Sequence, residues 1–402
     1  MKRKCSLGLF SLAVAGSAAA QGLYYVGSEA QESLPLKWVV GVSATYDDNV
    51  SPGFGDKQDS FGVNPYVGVS FVNITPQTTW DVYVRLGLIY YFDAPDGMDE
   101  INSQSRAGIN LTHRFSERLR FSSRNFISYE LEPDYSYGYA SSRQQGAYFF
   151  WQTDNSVGFR WSERFATYTG INLTGTTYQD ADNNDRLTWE AYNQFRYQLS
   201  PQTVLTLDAR YSETTGNGGF TNASDQFLLA GLEHRFSPNT IGIIRAGAQF
   251  HEVDGGTNST SPYVELALNS QVNEQFRIRA FTRYGIENSN NIQQSPTGVA
   301  EYEDTQTLRI GVSSDYVISP LLSVFGGVDY IPTSYGSGSL LSNSAGAADL
   351  NEDIINVYLG LSVKINDYLT GTATYNYTHS NSDIGGQNYD RNRISVGLST
   401  EF

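Results

Sequence analysis

Arg391-Asn392-Arg393-Ile394-Ser395-Val396-Gly397-Leu398-Ser399-Thr400-Glu401-Phe402 ends the chain. Ile394, Val396, Leu398, Thr400 and Phe402 share one parity, and Arg391, Arg393, Ser395, Ser399 and Glu401 share the other. Successive side chains of a strand point to opposite faces, so this stretch has one apolar face and one wet face. A strand that closes a sheet into a barrel, apolar side to lipid, has this pattern. Such a strand needs the first strand as its partner, because an open sheet edge in hydrocarbon leaves backbone groups unsatisfied. The matching stretch is Lys37 to Tyr46, in which Trp38, Val40, Val42, Ala44 and Tyr46 form one apolar face.

The same alternation recurs along the chain. In 80–91, Trp80, Val82, Val84, Leu86, Leu88 and Tyr90 oppose Asp81, Tyr83, Arg85 and Gly87. In 276–286, Phe276, Ile278, Ala280, Tyr284 and Ile286 oppose Arg277, Arg279, Phe281 and Arg283. In 307–316, Leu308, Ile310, Val312 and Tyr316 oppose Thr307, Arg309, Ser313 and Asp315. In 354–364, Ile355, Val357, Leu359, Leu361 and Val363 oppose Asn356, Tyr358, Ser362 and Lys364. Two stretches fit less well: 61–71 contains Pro65, and 145–158 is ambiguous in its faces. No stretch reads as a long amphipathic helix, and no later apolar run reaches transmembrane-helix length.

A punctuation mark repeats about every forty residues. It reads Asn73-Ile74-Thr75-Pro76-Gln77, His113-Arg114-Phe115-Ser116-Glu117-Arg118 and Phe159-Arg160-Trp161-Ser162-Glu163-Arg164. It returns at Gln198-Leu199-Ser200-Pro201-Gln202, His234-Arg235-Phe236-Ser237-Pro238-Asn239 and Val317-Ile318-Ser319-Pro320-Leu321, with weaker copies at Val272-Asn273-Glu274 and Ile365-Asn366-Asp367. Ser, Asn and Pro suit defined β-turn positions, so these read as tight turns. Between them lie longer segments rich in Gly, Asn and Asp: 47–59, 93–101, 132–143, 179–185, 214–224, 252–259, 287–303, 331–352 and 381–389. Short turns alternating with long loops predict an all-β, transmembrane, antiparallel up-and-down barrel of about eighteen strands, with short periplasmic turns and long extracellular loops. A secreted β-propeller also repeats at about forty residues, but it needs four short strands per repeat and blade motifs that are missing here.

The start of the chain reads as a targeting segment. Lys2, Arg3 and Lys4 precede a short apolar run, and Gly16-Ser17-Ala18-Ala19-Ala20 supplies the small residues for cleavage after Ala20. Residues 1–20 are therefore expected to be a secretory signal peptide, 21–36 a short periplasmic lead, and 37–402 the barrel. The one cysteine, Cys5, lies in the signal segment, so the mature chain is expected to have no disulfide, thiol chemistry or thiolate metal site. Net charge is -16 for the full chain and about -19 once the signal cations are removed. That balance argues against nucleic-acid binding, which needs clustered Lys and Arg. The chain holds 28 tyrosines and 38 glycines at a mean hydropathy of -0.37, too polar for a helical membrane protein and rich in strand-forming aromatics.

The segment Ala44-Thr45-Tyr46-Asp47-Asp48-Asn49-Val50, followed by regular long hairpins, resembles the β-barrel porin type 2 family of bacterial outer-membrane proteins. The resemblance implies an outer-membrane, channel-like barrel and names no substrate. The last strand is similar to the signal read by the barrel-assembly machinery: Gly397 and Phe402 match it, and Thr400 stands where a second aromatic is preferred.

The arginines fall mainly on the wet face: Arg85, Arg106, Arg120, Arg124, Arg196, Arg210, Arg245, Arg277, Arg279, Arg283, Arg309, Arg391 and Arg393. A lipid-facing Arg near the midplane costs about 2–4 kcal/mol, so they are expected to point inward. Arg85, Arg106, Arg124, Arg210, Arg245, Arg277, Arg279, Arg283 and Arg309, with Tyr83 and Tyr358, are the pore-lining candidates. Cation rings favour anions and aromatic faces stack on sugars. The competing role is bracing of the wall through Glu190, Asp208, Glu233, Glu265, Asp315 and Glu401. Ile331 to Glu352 is expected to be the longest external loop, a candidate for folding inward as a constriction. Asp180-Ala181-Asp182-Asn183-Asn184-Asp185 spaces oxygens as a Ca²⁺ loop does, but lacks the Gly at its sixth place and a Glu at the twelfth. His113, His234, His251 and His379 have no recognisable catalytic partners. The expected function is passive diffusion of small hydrophilic solutes, anions or saccharides, with no enzyme activity, cofactor or metal. Expected partners are outer-membrane lipid, lipopolysaccharide and the barrel-assembly machinery, with oligomeric state open. Polysaccharide export, surface assembly or adhesion are the alternatives.

Overall fold

The computed structural model describes residues 36–50, 57–94, 99–131, 147–179, 185–217, 222–256, 258–287, 292–340, 342, 345–384 and 387–402. The expected signal segment, all but the last residue of the lead, the 132–143 loop and most of the acidic 180–185 loop lie outside the described residues. Among the described residues the regular structure is strand only. The first half holds β1 (Lys37–Asp47), β2 (Ser60–Ile74), β3 (Thr78–Tyr91), β4 (Ile101–Ser103), β5 (Ser105–Arg114), β6 (Leu119–Glu130), β7 (Tyr148–Arg160), β8 (Phe165–Tyr178), β9 (Arg186–Ser200) and β10 (Thr203–Gly216). The second holds β11 (Ala223–Ser237), β12 (Thr240–Val253), β13 (Asn258–Gln271), β14 (Phe276–Ile286), β15 (Ile292–Ser295), β16 (Gly298–Ser319), β17 (Leu322–Leu340), β18 (Leu350–Lys364), β19 (Leu369–Ser382) and β20 (Tyr389–Glu401).

Each wall strand pairs antiparallel with its neighbours in sequence, and β1 pairs with β20, so the sheet closes on itself. β4 and β5 both lie against β3 as two pieces of one wall strand, and β15 is a short addition to the end of β16. The wall therefore has eighteen strands. The closing register matches Val40 with Thr400, Val42 with Leu398, Ala44 with Val396 and Tyr46 with Ile394. At one end of this seam, Trp38 N–H donates to Phe402 O at 3.1 Å and Phe402 N–H donates back to Trp38 O at 2.9 Å. The terminal residue completes the ladder.

Eight connections of two to four residues follow β2, β5, β7, β9, β11, β13, β16 and β18 at this end. Every one is held by a side chain that occupies the turn's amide donors. Ser116 Oγ accepts from Leu119 N–H at 3.0 Å, Ser162 Oγ from Phe165 N–H at 3.1 Å and Thr75 Oγ1 from Thr78 N–H at 2.9 Å. Asn273 and Asn366 do the same for Phe276 and Leu369 at 2.8 Å, and Ser200, Ser237 and Ser319 serve the turns that contain Pro or Leu. The repeated Ser and Asn of the sequence are thus turn locks.

At the other end two expectations need correction. Ile331 to Glu352 is not a loop: β17 continues to Leu340 and β18 begins at Leu350. Likewise 287–303 holds β15 and the first part of β16. Gly and Ser dominate there and hide the strand signal, but β16 and β17 satisfy each other's backbone, and Tyr302 packs on Tyr335 at 5.7 Å between ring centroids. Ser337 takes a φ of 55°, and opposite it the buried parity of β16 switches from Thr305 to Tyr302. This turn of the strand puts Ala300, Tyr302, Tyr335, Leu340, Leu350 and Ile384 into one small apolar cluster. Residues 345–348 fold back along β17, with Tyr302 Oη–H donating to Ala348 O at 2.7 Å.

Candidate functional site in the lumen

The outer surface must be placed before the inner one. Trp38, Val40, Val42, Leu86, Leu88, Ile109, Leu205, Leu207, Ile244, Val328, Leu359, Val396 and Leu398 are all exposed, and each sits at an outward position of its strand. Apolar surface in a belt of this extent costs free energy in water and none in hydrocarbon. Aromatic rings border the band: Phe115, Trp161 and Phe236 at the tight-turn end, Tyr46, Phe61 and Phe250 at the other. A closed barrel with such a belt between two aromatic girdles matches the bacterial outer-membrane build. The chain is an outer-membrane-type β-barrel. At that strand number the inner wall can line an aqueous passage, and the charged side chains are turned towards it.

Two adjoining sectors of that wall are unlike. Along β9 to β13 it is a buried ionic brace. Arg196 Nη1 donates to Glu233 Oε1 at 2.8 Å, and Arg245 reaches Asp208 at 3.6 Å, Glu233 at 3.5 Å and Glu265 at 3.1 Å. Arg210 lies 3.3 Å from Glu265, and Tyr263 Oη–H donates to the same carboxylate at 2.7 Å. Three guanidinium groups face Asp208, Glu233 and Glu265, with Glu190 beside Arg210, so this sector carries no excess of positive charge. Of the candidates read from sequence, Arg210 and Arg245 belong to this brace.

Along β1 to β9 the wall is paved with aromatic rings. Tyr66 lies over Gly41, Tyr83 over Gly108, Tyr168 over Gly158 and Tyr192 over Gly170, each pair being direct cross-strand neighbours. A Cβ on any of these glycines would meet the ring at 2.4 to 2.5 Å. The missing side chain is what lets the ring lie flat, an arrangement that also shields the glycine backbone. Tyr358 of β18 lies over Gly327 of β17 in the same way, beyond the seam from β1. Tyr66, Tyr168 and Tyr192 were not among the sequence candidates. Their signal was present as Gly on the wet parity of one strand opposite Tyr on the next, but it can be read only once the register is known.

Arginines sit among these rings. The Arg85 guanidinium carbon is 3.9 Å from the Tyr66 ring centroid, a cation held against a π face. Arg85 is opposite Arg106 in the ladder, and Arg106 Nη2 is 3.0 Å from Glu130. Arg124 is inward on β6, level with Asp154 of β7. Farther round, Arg283 and Arg309 share Glu287 at 2.6 and 2.7 Å, and Arg279 pairs with Asp315 at 3.0 Å. Arg277 is exposed at the tight-turn end. Two arginines on one carboxylate leave a positive excess there, as does Arg85 on its tyrosine.

The Tyr46-Asp47-Asp48-Asn49 stretch has a structural task at the rim opposite the tight turns. Asp47, buried, accepts from Arg391 Nε at 3.0 Å on both oxygens. Asp48 Oδ1 accepts from Asn392 N–H at 2.7 Å and its Oδ2 from Asn392 Nδ2 and Lys57 Nζ at 2.8 Å; Asn49 Nδ2 donates to Asp390 O at 3.2 Å. These three residues lock the first strand to the last. Gly397 faces Ser43 across the same seam, where a Cβ would meet it at 3.1 Å. The histidines are spread out: His113 and His234 bond Thr78 and Thr203 beside tight turns, while His251 and His379 bond Asp225 and Asp390.

No protein-family model matches the chain. Among curated proteins, the LPS-assembly protein LptD of Pseudomonas fluorescens is 25% identical over 231 residues, which is 56% of this chain and 23% of that protein. The chain thus matches less than a quarter of the relative's length. Among solved structures, Pseudomonas aeruginosa OccK2 (OpdF) in complex with glucuronate is 11% identical, covering 92% of this chain and 98% of that one, with a TM-score of 0.48. Pseudomonas aeruginosa OpdK is 13% identical over 91% and 99% of the two chains with a TM-score of 0.46. Acinetobacter baumannii OccAB4 is 12% identical over 92% and 99% with a TM-score of 0.44.

Proposed function

We propose that this barrel is a passive outer-membrane channel for small hydrophilic solutes, with a mild preference for anions and saccharides. The observation that carries the reading is the half-wall of β1 to β9, where flat tyrosine rings alternate with Arg85 and Arg106. Such rings offer apolar faces to the C–H face of a sugar, and the guanidinium groups offer paired donors to a carboxylate or hydroxyl. The mechanism is sieving by the wall plus its field, with no covalent step. The brace on β9 to β13 holds the adjoining wall rigid. In this reading the tight turns face the periplasm, residues 1–20 are removed as a signal peptide, and the barrel-assembly machinery reads Gly397 and Phe402. The Tyr46-Asp47-Asp48-Asn49 opening further supports membership of the β-barrel porin type 2 family.

Conductance of the refolded protein in planar bilayers tests this. Stable openings with a reversal potential shifted towards anions support the channel. A barrel that folds and never conducts removes it and favours the second reading, a role in surface assembly, which the partial similarity to an LPS-assembly protein supports.

A further inference from the structure

The outward positions of the wall are apolar at mid-depth on most strands, as with Val84 of β3, Leu207 of β10, Leu359 of β18 and Val396 of β20. On β6 to β9 they are not. Ser123 and Asn125 on β6, Thr153 and Asn155 on β7, Thr169 on β8 and Asn193 on β9 share the parity of the lipid-exposed Ile127, Phe149, Val157, Ile171 and Phe195. Four of them form a closed ring of hydrogen bonds. Asn125 Nδ2 donates to Ser123 Oγ at 3.0 Å, Ser123 Oγ to Asn155 Oδ1 at 2.7 Å, Asn155 Nδ2 to Thr153 Oγ1 at 2.7 Å, and Thr153 Oγ1 to Asn125 Oδ1 at 2.6 Å. Next to it, Asn193 Nδ2 donates to Thr169 Oγ1 at 3.1 Å. This stripe is why 145–158 resists a two-faced reading from sequence.

The stripe is level. Asn125, Asn155, Thr169 and Asn193 each lie four residues from an outward-parity aromatic near the tight-turn end: Phe121, Phe159, Phe165 and Tyr197. At about 3.3 Å per residue and a strand tilt of roughly 40°, that is about 10 Å into an apolar band about 25 Å tall. The ring uses one N–H of each asparagine, so the second amide hydrogens and spare carbonyl lone pairs stay unspent, along with the Thr169 hydroxyl hydrogen. Lipid tails have nothing to offer them, and polar groups in a bilayer act as contacts between protein surfaces.

We propose that the outward face of β6 to β9 is where two copies of this chain associate side by side in the membrane, stripe against stripe about a two-fold axis. Three features favour a second copy as occupant. The stripe is uncharged and carries donors and acceptors together, so it complements itself. A second copy presents the same groups at the same depth by construction. Pairing the stripe with any other sector of the described belt would set amides against Leu and Val, which makes the isologous contact the one that satisfies both sides.

The barrel contains no cysteine, so single thiols can report the contact. Ile171 lies beside Asn155 in the ladder within the stripe, and Leu398 lies on the seam. In native outer membranes, Ile171→Cys should give a covalent dimer with a short bis-maleimide while Leu398→Cys should not. The variant Ser123→Ala, Asn125→Leu, Thr153→Val, Asn155→Leu, Asn193→Leu should still show the heat-modifiable folded band, with the Ile171→Cys dimer reduced roughly tenfold or more. Light scattering in mild detergent should then fall from two protein masses to one. Equal cross-linking from both thiols, a dimer unmoved by the five substitutions, a product with a different protein, or a folded monomer in every sample would each overturn the proposal.

Discussion

Removing the Asp47 carboxylate should open the seam from one end. Asp47 and Arg391 are 1% and 2% exposed and belong to the first and last strands, so deleting the carboxylate takes a buried ionic partner from the guanidinium. Breaking a buried pair by deleting one partner costs about 3–5 kcal/mol, because a charge is left uncompensated. Asp47→Ala should therefore lower the unfolding free energy by about that amount, a large share of what holds a barrel edge closed. Replacing both partners, Asp47→Leu with Arg391→Met, removes the charge as well and should recover most of the loss. The assay is urea unfolding of the protein refolded into vesicles, read by the heat-modifiable band, with amide exchange resolved along β1 and β20. Exchange should rise near Tyr46 and Ile394 and change little near Trp38 and Phe402, where the paired backbone bonds remain. A single variant within about 0.5 kcal/mol of wild type, or a double variant as weak as the single, would refute the reasoning.

Four other outcomes follow from the geometry. Deleting Phe402 removes the closing bonds to Trp38 and should reduce the folded form in the membrane; unchanged levels would count against its role in assembly. Gly108→Ala places a Cβ 2.5 Å from the Tyr83 ring, so the ring must swing off the wall; a loss of about 1–3 kcal/mol and a lower single-channel conductance are expected, both relieved by adding Tyr83→Ala. Arg277, Arg279 and Arg283 replaced together by Ser should move the reversal potential towards cations, and no movement would assign them to wall bracing alone. Burial opposes ionisation of Asp48, but the Asn392 amides and Lys57 outweigh it and hold its carboxyl below the ordinary range. Its contribution is thus fully present above the unfolded carboxylate pKa and is lost as pH falls through the lower folded value. Amide exchange at Asn392 should stay slow through mildly acidic pH and rise only in stronger acid, and a rise already near neutrality would argue against this.

Much of the architecture was readable because it depends on local rules. Strand alternation is a property of the backbone, so Trp38 to Tyr46 and Ile394 to Phe402 could be assigned to lipid without knowing what they touched. The tight turns were readable for a similar reason: Ser, Thr and Asn bond amides two or three residues on. Where composition conceals that rule, as in the Gly- and Ser-rich stretch after Ile331, the strand was missed, and partner strands decided it. The arginines could be placed inward by the cost of a charge in hydrocarbon, yet their separate fates depend on neighbours distant in sequence. Arg245 is spent on Asp208, Glu233 and Glu265, whereas Arg85 rests on Tyr66.

The terminal strand shows both sides of this division. By itself the sequence determined that Ile394, Val396, Leu398 and Phe402 share a greasy face, and that a closing partner had to exist. Only the tertiary structure decided the register, because a slip of two residues would keep every side chain on its face. That register sets Asp47 beside Arg391, Gly41 beneath Tyr66 and Asn125 against Thr153. Each contact joins residues on separate strands, and cross-strand distance is a quantity that periodicity along one strand does not carry.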